Sequence, residues 1–572
     1  MRRQPLRFDW MSEVRGAERG PERRLRLALA CLSGVAVVLL VAFMDFTDRG
    51  RHFDPKRTFA SNELPSGAPE EPALSRLRVL TRCIGYVRAN YVDPTRADAA
   101  AMLMAGLEQV ERKVPEFISD SIKDDAGKVT GVRVRVGDAE KRFDLGKVTD
   151  LYTMSWKLLD IFGFVAPELA GSTIDPKLVE YAAINGMLHT LDPHSLLLTP
   201  SVYQDMKMGT TGQFGGLGIV LGSKDGRLVI ESVMEGTPAS RAGLESGDII
   251  VQVEGESTMN MALSDAVERL RGAPGTSVTL WIDRKGFTQP RKYRIERENI
   301  TLASVTSKRL EGGVGYARVK NFQQSTSEDL RTAIERLSAD QTAEAGTPLA
   351  GFILDLRDNP GGLLDQAIEV SDLFLSDGVI VTTVGSGNKV REERLATRGG
   401  TYGQLPVVLL VNGGSASASE IVAGALRNND RALLVGTRTF GKGSVQVLYD
   451  IDDVALKLTI AQYLTPGDES IQSVGIAPHV ELVPVSLSRD YVQLTSNDRD
   501  GERTLENHLE NGARTKHHAP DERVHFLEDD EDFAVELARK ALMEAGRPSA
   551  KDFAAADAIR KIFVSPQVKR YI

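Results

Sequence analysis

The feature that most constrains the fold is a strand pattern at residues 406–411 that breaks at two glycines and resumes as a helical pattern at 420–426. A buried strand, a tight turn and a helix together form the building unit of an α/β layer. The turn carries Ser415, Ser417 and Ser419. The first N–H groups of a helix are unpaired, so they can cap a serine or bind a developing oxyanion. Both interpretations stay open from this segment alone.

Lys442 follows the apolar strand pattern 432–435 and lies between two glycines. Residues 436–442 satisfy most of the phosphate-loop pattern G-x-x-x-x-G-K-[ST], but Gly443 stands where the hydroxyl is needed. The following residues, 444–449, read as a strand, whereas a phosphate loop leads into a helix. A lysine that loses its charge through burial can instead serve as a general base. A solvated loop lysine is the third interpretation.

A third segment, 349–362, is an apolar strand that ends in a charged, glycine-rich turn. Asn-Pro-Gly-Gly makes a tight turn on any scaffold, so alone it indicates no function. None of the eight histidines adjoins a serine at a helix start, and neither G-x-S-x-G nor H-E-x-x-H occurs. The sequence therefore favours a serine nucleophile whose general base is not a histidine.

Taken together, residues 356–362, 412–420 and 439–446 resemble the bacterial C-terminal processing peptidases, also called tail-specific proteases. The three motifs match that family in order and in spacing. The resemblance implies a Ser/Lys serine endopeptidase with a PDZ domain and a crotonase-like or ClpP-like α/β core. It also implies that protein substrates are cut near their C-termini without any metal or nucleotide cofactor.

The resemblance further assigns roles to individual residues. Ser417 would be the nucleophile and Lys442 the general base, while Gln446 would orient the lysine amine. The oxyanion hole would be built from the N–H groups of Gly362 and Ala418.

Upstream, short β patterns with Gly-Leu-Gly-Ile before a strand are similar to a PDZ domain. The segments that carry this likeness are 213–221, 236–244 and 246–250. A PDZ groove adds a peptide as an extra strand and binds its terminal carboxylate through loop N–H groups. By position these groups would come from Leu217, Gly218 and Ile219, with residues 262–267 as the other wall. Exposed C-termini of proteins or peptides are the expected partners, and a purely structural β module is the alternative.

Residues 27–44 form an uncharged stretch long enough to cross a bilayer. Arginines precede this stretch, which predicts a cytoplasmic N-terminus, a single-pass inner-membrane anchor and a periplasmic catalytic part. A cleaved signal peptide and lipidation at Cys31 are weaker alternatives. Cys83 would then be the one cysteine outside the membrane, so no internal disulfide is expected.

The chain of 572 residues is long enough for several domains, and its net charge of -9 weighs against nucleic-acid binding. The predicted fold is multidomain α/β, with a transmembrane helix, a helical domain, a PDZ-like β domain, the protease core and a C-terminal helical tail. The predicted boundaries are 1–26 (Arg-rich cytoplasmic segment), 27–44 (anchor), 45–72 (linker), 73–205 (helical), 206–300 (PDZ), 301–485 (protease core) and 486–572 (polar tail with a late helix).

The turn Asp192-Pro-His-Ser195 is interpreted as the end of a helix rather than as a metal or catalytic site. An adaptor protein, known among members of the family, and self-association through the helical region are further candidate interactions. Two alternatives of other classes are a catalytically silent PDZ scaffold and a nucleotide-driven membrane factor that uses Lys442.

Overall fold

A computed structural model of the chain describes residues 74, 77–170, 172–386, 391–399, 402–487, 492–494, 501–511, 518–527 and 532–544. The elements before residue 190 are α1 (Arg78–Asn90), α2 (Ala99–Lys113), β1 (Phe117–Lys123), β2 (Val129–Val136), β3 (Ala139–Asp144), α3 (Leu151–Leu169) and α4 (Pro176–His189). The strands form one antiparallel sheet in the order β1-β2-β3. Helices α2 and α4 pack so closely that a methyl group at Gly186 would lie 2.2 Å from the Ala105 carbonyl oxygen.

A small β domain follows the helices. Its elements and their neighbours are β4 (Leu196–Leu198), α5 (Pro200–Thr211), β5 (Gln213–Gly216), β6 (Ile219–Lys224), β7 (Arg227–Val233), α6 (Pro238–Arg241), β8 (Ile249–Val253), β9 (Glu256–Ser257), α7 (Leu263–Leu270), β10 (Ser277–Asp283), β11 (Arg291–Glu296) and β12 (Glu298–Thr301). The main sheet runs β11-β10-β8-β7-β6, so β6 lies at an edge, while β5 pairs with β12. Apolar side chains from the sheet and from α7 form one core, which includes Ile230, Ile250 and Leu280.

The largest part of the chain alternates strands and helices. Its elements are β13 (Val305–Leu310), β14 (Val314–Val319), α8 (Thr326–Ala345), β15 (Gly351–Asp355), α9 (Leu364–Asp372), β16 (Val379–Gly385), β17 (Arg391–Leu395), β18 (Val407–Val411), α10 (Ala418–Asn428), β19 (Leu433–Gly436), β20 (Ser444–Ile451), β21 (Val454–Thr465), β22 (Glu469–Ser470), β23 (Val480–Leu487) and β24 (Val492–Leu494). One sheet runs β13-β14-β15-β18-β19-β23-β24, and its pairs from β14 to β23 are parallel. Every residue of β15 and β18 is buried, as expected for parallel strands covered on both faces.

A second sheet runs β17-β16-β21-β20, and β4 from the region before the small β domain also pairs with β21. This pairing joins the end of the helical region to the α/β core through Leu196–Leu198. The turn that precedes β4 is thereby held beside the middle of β21.

Two late elements complete the core, namely β25 (Glu522–Leu527) and α11 (Phe533–Glu544). Strand β25 lies parallel to β23, and the alanine and leucine face of α11 packs on the main sheet. Arg357 ties this helix to the end of β15, because its guanidinium donates to both Asp355 (2.6 Å) and Asp532 (2.7 Å). Part of the region after residue 485 therefore belongs to the core sheet.

The predicted transmembrane helix, residues 27–44, lies outside the described residues. In the part of the chain that the structure describes, no helix is both long enough and apolar enough to cross a membrane. The 20-residue helix α8 has the length, but it carries charged side chains such as Glu328 and Asp329. We therefore withdraw the transmembrane helix from the predicted fold, and with it the inner-membrane location and the periplasmic catalytic part, because nothing in the described residues bears them out.

Candidate active site

The three motifs meet at one edge of the main sheet. They follow β15, β18 and β19, which are neighbouring parallel strands, so their carboxyl ends lie side by side. A methyl group at Gly361 would lie 2.9 Å from Ser417 Cβ and 3.0 Å from the Ala418 nitrogen. Backbone hydrogen bonds join the same loops, from Ala416 N–H to the Asn359 carbonyl and from Phe440 N–H to the Ser415 carbonyl, both 3.0 Å.

Ser417 differs from its two neighbouring serines in burial and in backbone conformation. Ser415 and Ser419 are fully buried, and their hydroxyls donate to the Leu356 carbonyl (2.8 Å) and the Asn359 carbonyl (2.9 Å), respectively. Ser417 is only partly buried and has φ 54° and ψ −112°, which is strained for an L-residue. The strained turn directly precedes α10, so the partly exposed Ser417 lies beside the positive end of a helix.

Lys442 lies in an environment that favours its uncharged form. Burial lowers the pKa of Lys442 to about 8, helped by the nearby charge of Lys457 and opposed by the carboxylates of Glu502, Glu420 and Asp192. Its Nζ donates to Gln446 Oε1 at 2.8 Å. A partly neutral amine at physiological pH is what a lysine general base requires.

Glu420 joins the serine loop to the lysine loop, a role that the sequence reasoning missed. Its Oε1 accepts from Thr439 Oγ1 and Gly441 N–H, both at 2.6 Å. Its Oε2 accepts from the backbone N–H groups of Ser417 (2.9 Å) and Lys442 (2.8 Å). Burial raises the pKa of Glu420 to about 7, while these hydrogen bonds act in the opposite direction. The local signal was present, since Ser417 to Glu420 satisfies the capping-box pattern S-x-x-E.

The turn that was predicted to supply an oxyanion donor requires glycine at two positions. Gly361 and Gly362 have φ 102° and 150°, and a methyl group at Gly362 would lie 2.2 Å from the Phe322 carbonyl oxygen. Gly361 N–H already donates to Asn359 Oδ1 at 2.9 Å. Because Gly361 N–H is engaged in this way, Gly362 stays the predicted oxyanion donor of this turn, together with Ala418 at the first position of α10.

The residues after Lys442 do not continue as a helix. They form strand β20, which pairs with β21. A phosphate loop places its anion at a helix N-terminus, so this arrangement gives the nucleotide interpretation no support.

The predicted peptide-binding residues lie at the free edge of the small β domain. Leu217 and Gly218 precede β6, and Ile219 begins it. Gly218 has φ 79°, and a side chain there would collide with Thr237. Val220 on β6 and Leu263 on α7 are exposed apolar side chains. Such an edge strand beside a helix is the geometry into which a peptide strand can add.

The fold and the site define a serine peptidase core with an attached peptide-binding β domain. Residues 313–482 match the model of peptidase family S41, and residues 229–284 match that of the PDZ domain. A carboxy-terminal-processing protease of Bartonella bacilliformis is 43% identical over 56% of this chain and 73% of its own length. Relatives of the same description in Synechocystis (38% identical, 52% and 70%) and Bacillus subtilis (CtpA, 36% identical, 57% and 68%) also match. The chain belongs to the carboxy-terminal processing protease family and is a serine protease.

Proposed function

We propose that this protein hydrolyses peptide bonds through Ser417, with Lys442 as general base. The neutral amine takes the Ser417 proton as Oγ attacks the substrate carbonyl carbon, and the N–H groups of Gly362 and Ala418 stabilise the oxyanion. The protonated lysine then gives a proton to the departing amine, which leaves an acyl-serine that water hydrolyses. The observation that carries this proposal is the convergence of the strained Ser417 turn with the Gly361–Gly362 turn and with the lysine loop, which Glu420 joins to the serine turn.

The supporting residues fit this chemistry. Gln446 accepts a hydrogen bond from the lysine amine, which fixes the amine and stabilises its charged form after proton transfer. Each oxyanion donor in such a site contributes about 3 kcal/mol to transition-state stabilisation. The roles therefore divide into nucleophile, base, orienting amide and two backbone donors.

The PDZ domain is proposed to bind the exposed C-terminus of a protein substrate. Leu217, Gly218 and Ile219 would bind the terminal carboxylate through N–H groups, and the peptide would add to β6 against α7. The names of the relatives describe processing at the carboxy terminus, which agrees with this mode of capture. Adaptor binding, self-association and the domain boundaries stay predictions.

The catalytic assignment is tested with purified protein and a quenched fluorescent peptide. Ser417→Ala and Lys442→Ala should each abolish cleavage without changing the thermal melting curve. Ser201→Ala, an exposed serine on α5, serves as the matched control and should cleave at the wild-type rate. Retained cleavage in Ser417→Ala would remove the assignment.

Recognition of the C-terminus is tested by comparing one peptide with a free carboxylate against the same peptide as a C-terminal amide. The amide should raise KM while kcat stays the same, because the groove and the cleavage site are separate. Binding of both peptides with equal affinity would favour a structural role for the β domain.

A further inference from the structure

A line of hydrogen bonds runs from the turn after α4 to the amine of Lys442. Asp192, which is 1% exposed, accepts from Thr459 Oγ1 at 3.0 Å. Thr459 Oγ1 accepts from Gln446 Nε2 at 3.3 Å. Gln446 Oε1 in turn accepts from Lys442 Nζ at 2.8 Å. Three buried or partly buried side chains thus connect the helical region to the proposed base.

Only part of the environment of Asp192 is explained by a helix-ending turn. Its Oδ1 accepts from the N–H groups of His194 and Ser195, both 2.9 Å, and its Oδ2 accepts from Ser195 Oγ at 2.6 Å. Those bonds are local. The bond from Thr459 comes instead from the middle of β21, in the protease core.

The donors and acceptors of these groups fix the direction of each hydrogen bond between Asp192 and Lys442. The single hydroxyl hydrogen of Thr459 is donated to the carboxylate oxygen Oδ1 of Asp192. The lone pairs of Thr459 Oγ1 are then available to the amide NH₂ group of Gln446, which also donates to Ser444 Oγ at 2.9 Å. With its NH₂ group held on that side, Gln446 presents its carbonyl oxygen to Lys442.

This direction matters for a lysine that must accept a proton. A neutral amine has two N–H hydrogens and one lone pair. When one N–H is donated to the Gln446 carbonyl, the lone pair remains free for the proton of Ser417. A reversed amide would instead donate its own N–H to that lone pair and block it.

We propose that Asp192 and Thr459 are positioning residues of the catalytic base, which fix the amide of Gln446 so that the lone pair of Lys442 faces the nucleophile. This inference rests on the proposed roles of Ser417 and Lys442. It also makes activity depend on the docking of the helical region, since Ser195 Oγ accepts from Thr459 N–H at 3.1 Å and β4 pairs with β21.

The test is a double-mutant cycle on the full chain, with kcat and KM measured against pH on the peptide substrate. Thr459→Val keeps the side-chain shape and removes the hydroxyl. We expect kcat to fall about tenfold at unchanged KM, a fraction of what a general base contributes. The pH midpoint should also move downward, because the charged amine loses a well-oriented acceptor. Thr459→Ser should recover most of the loss.

The second arm of the cycle distinguishes a positioning role of Thr459, exerted through Gln446, from a purely structural role. In a Gln446→Ala background, Thr459→Val should cause no further loss, since Thr459 acts only through Gln446. Thr465→Val is the matched control, being a buried threonine of the same strand whose hydroxyl donates to the Glu469 carbonyl, and it should keep the wild-type kcat.

The inference would be overturned if Thr459→Val kept the wild-type kcat and pH midpoint. It would also be overturned if Thr459→Val lowered kcat equally in the wild-type and Gln446→Ala backgrounds. Should Thr459→Val fail to fold by circular dichroism, Thr459→Ala enters the same cycle with the same expectations. Ser417→Ala measured alongside keeps the two proposals apart. An active Ser417→Ala would refute the proposed function itself, whereas an inactive one together with a normal Thr459→Val would refute only the positioning role.

Discussion

The protonation of Lys442 gives the account a quantitative consequence. Only the neutral amine can take the serine proton, and burial together with Lys457 lowers the pKa of Lys442 to about 8. Because this pKa is depressed, the neutral fraction grows as the pH rises. If the amine is the titrating group, kcat/KM should reach about half of its plateau at pH 8, about a tenth at pH 7 and about a hundredth at pH 6.

The assay is the initial rate of peptide cleavage at low substrate concentration in buffers of constant ionic strength. Lys457→Met removes a like charge from the surroundings of Lys442, so the midpoint should shift to higher pH. Lys285→Met, an exposed lysine of the PDZ domain, should leave the midpoint unchanged. A rate that is flat from about pH 6 to pH 9, or a midpoint near the ordinary lysine value of about 10.4, would refute the reasoning.

Three further outcomes follow from the packing around the site. Glu420→Gln places an amide NH₂ group against two of the N–H or O–H donors that now bond to the Glu420 carboxylate. We expect the free energy of unfolding, measured with denaturant, to fall by about 2–4 kcal/mol and kcat to fall as well. Unchanged values would show that the protein does not need this link between the two loops. Gly362→Ala should lower kcat about a hundredfold, because the methyl group would collide with the Phe322 carbonyl and move the proposed oxyanion donor; wild-type turnover would exclude this donor. Leu542→Ala empties a buried site on α11 and should cost about 3 kcal/mol in unfolding free energy while activity per folded molecule is kept; a negligible cost would contradict the packing of α11 on the core.

The sequence was sufficient where function depends on short local patterns. Three such patterns are local: serines at a strand–turn–helix junction, a lysine between glycines, and paired glycines after a buried strand. The mixed α/β core and the PDZ domain were predicted from patterns of this kind. The family assignment that they supported is confirmed.

Other features depend on contacts between residues far apart in the chain. Glu420 is recognisable as a capping residue, but its bonds to Gly441 and Lys442 exist only because β18 and β19 are neighbours. Likewise, the local pattern of Asp192 gives a turn, while its bond to Thr459 requires β4 to dock on β21. The apolar face of α11 was visible, but its docking surface was not.

The central claim is tested most directly by trapping the covalent intermediate. Cleavage of a peptide ester is quenched with acid during the first turnovers, and the protein is digested and mapped by mass spectrometry. The account predicts an acyl group on the peptide that contains Ser417, at Oγ of that residue, and its absence in Ser417→Ala and Lys442→Ala. Acylation of a different residue, or an adduct that persists in Ser417→Ala, would contradict it.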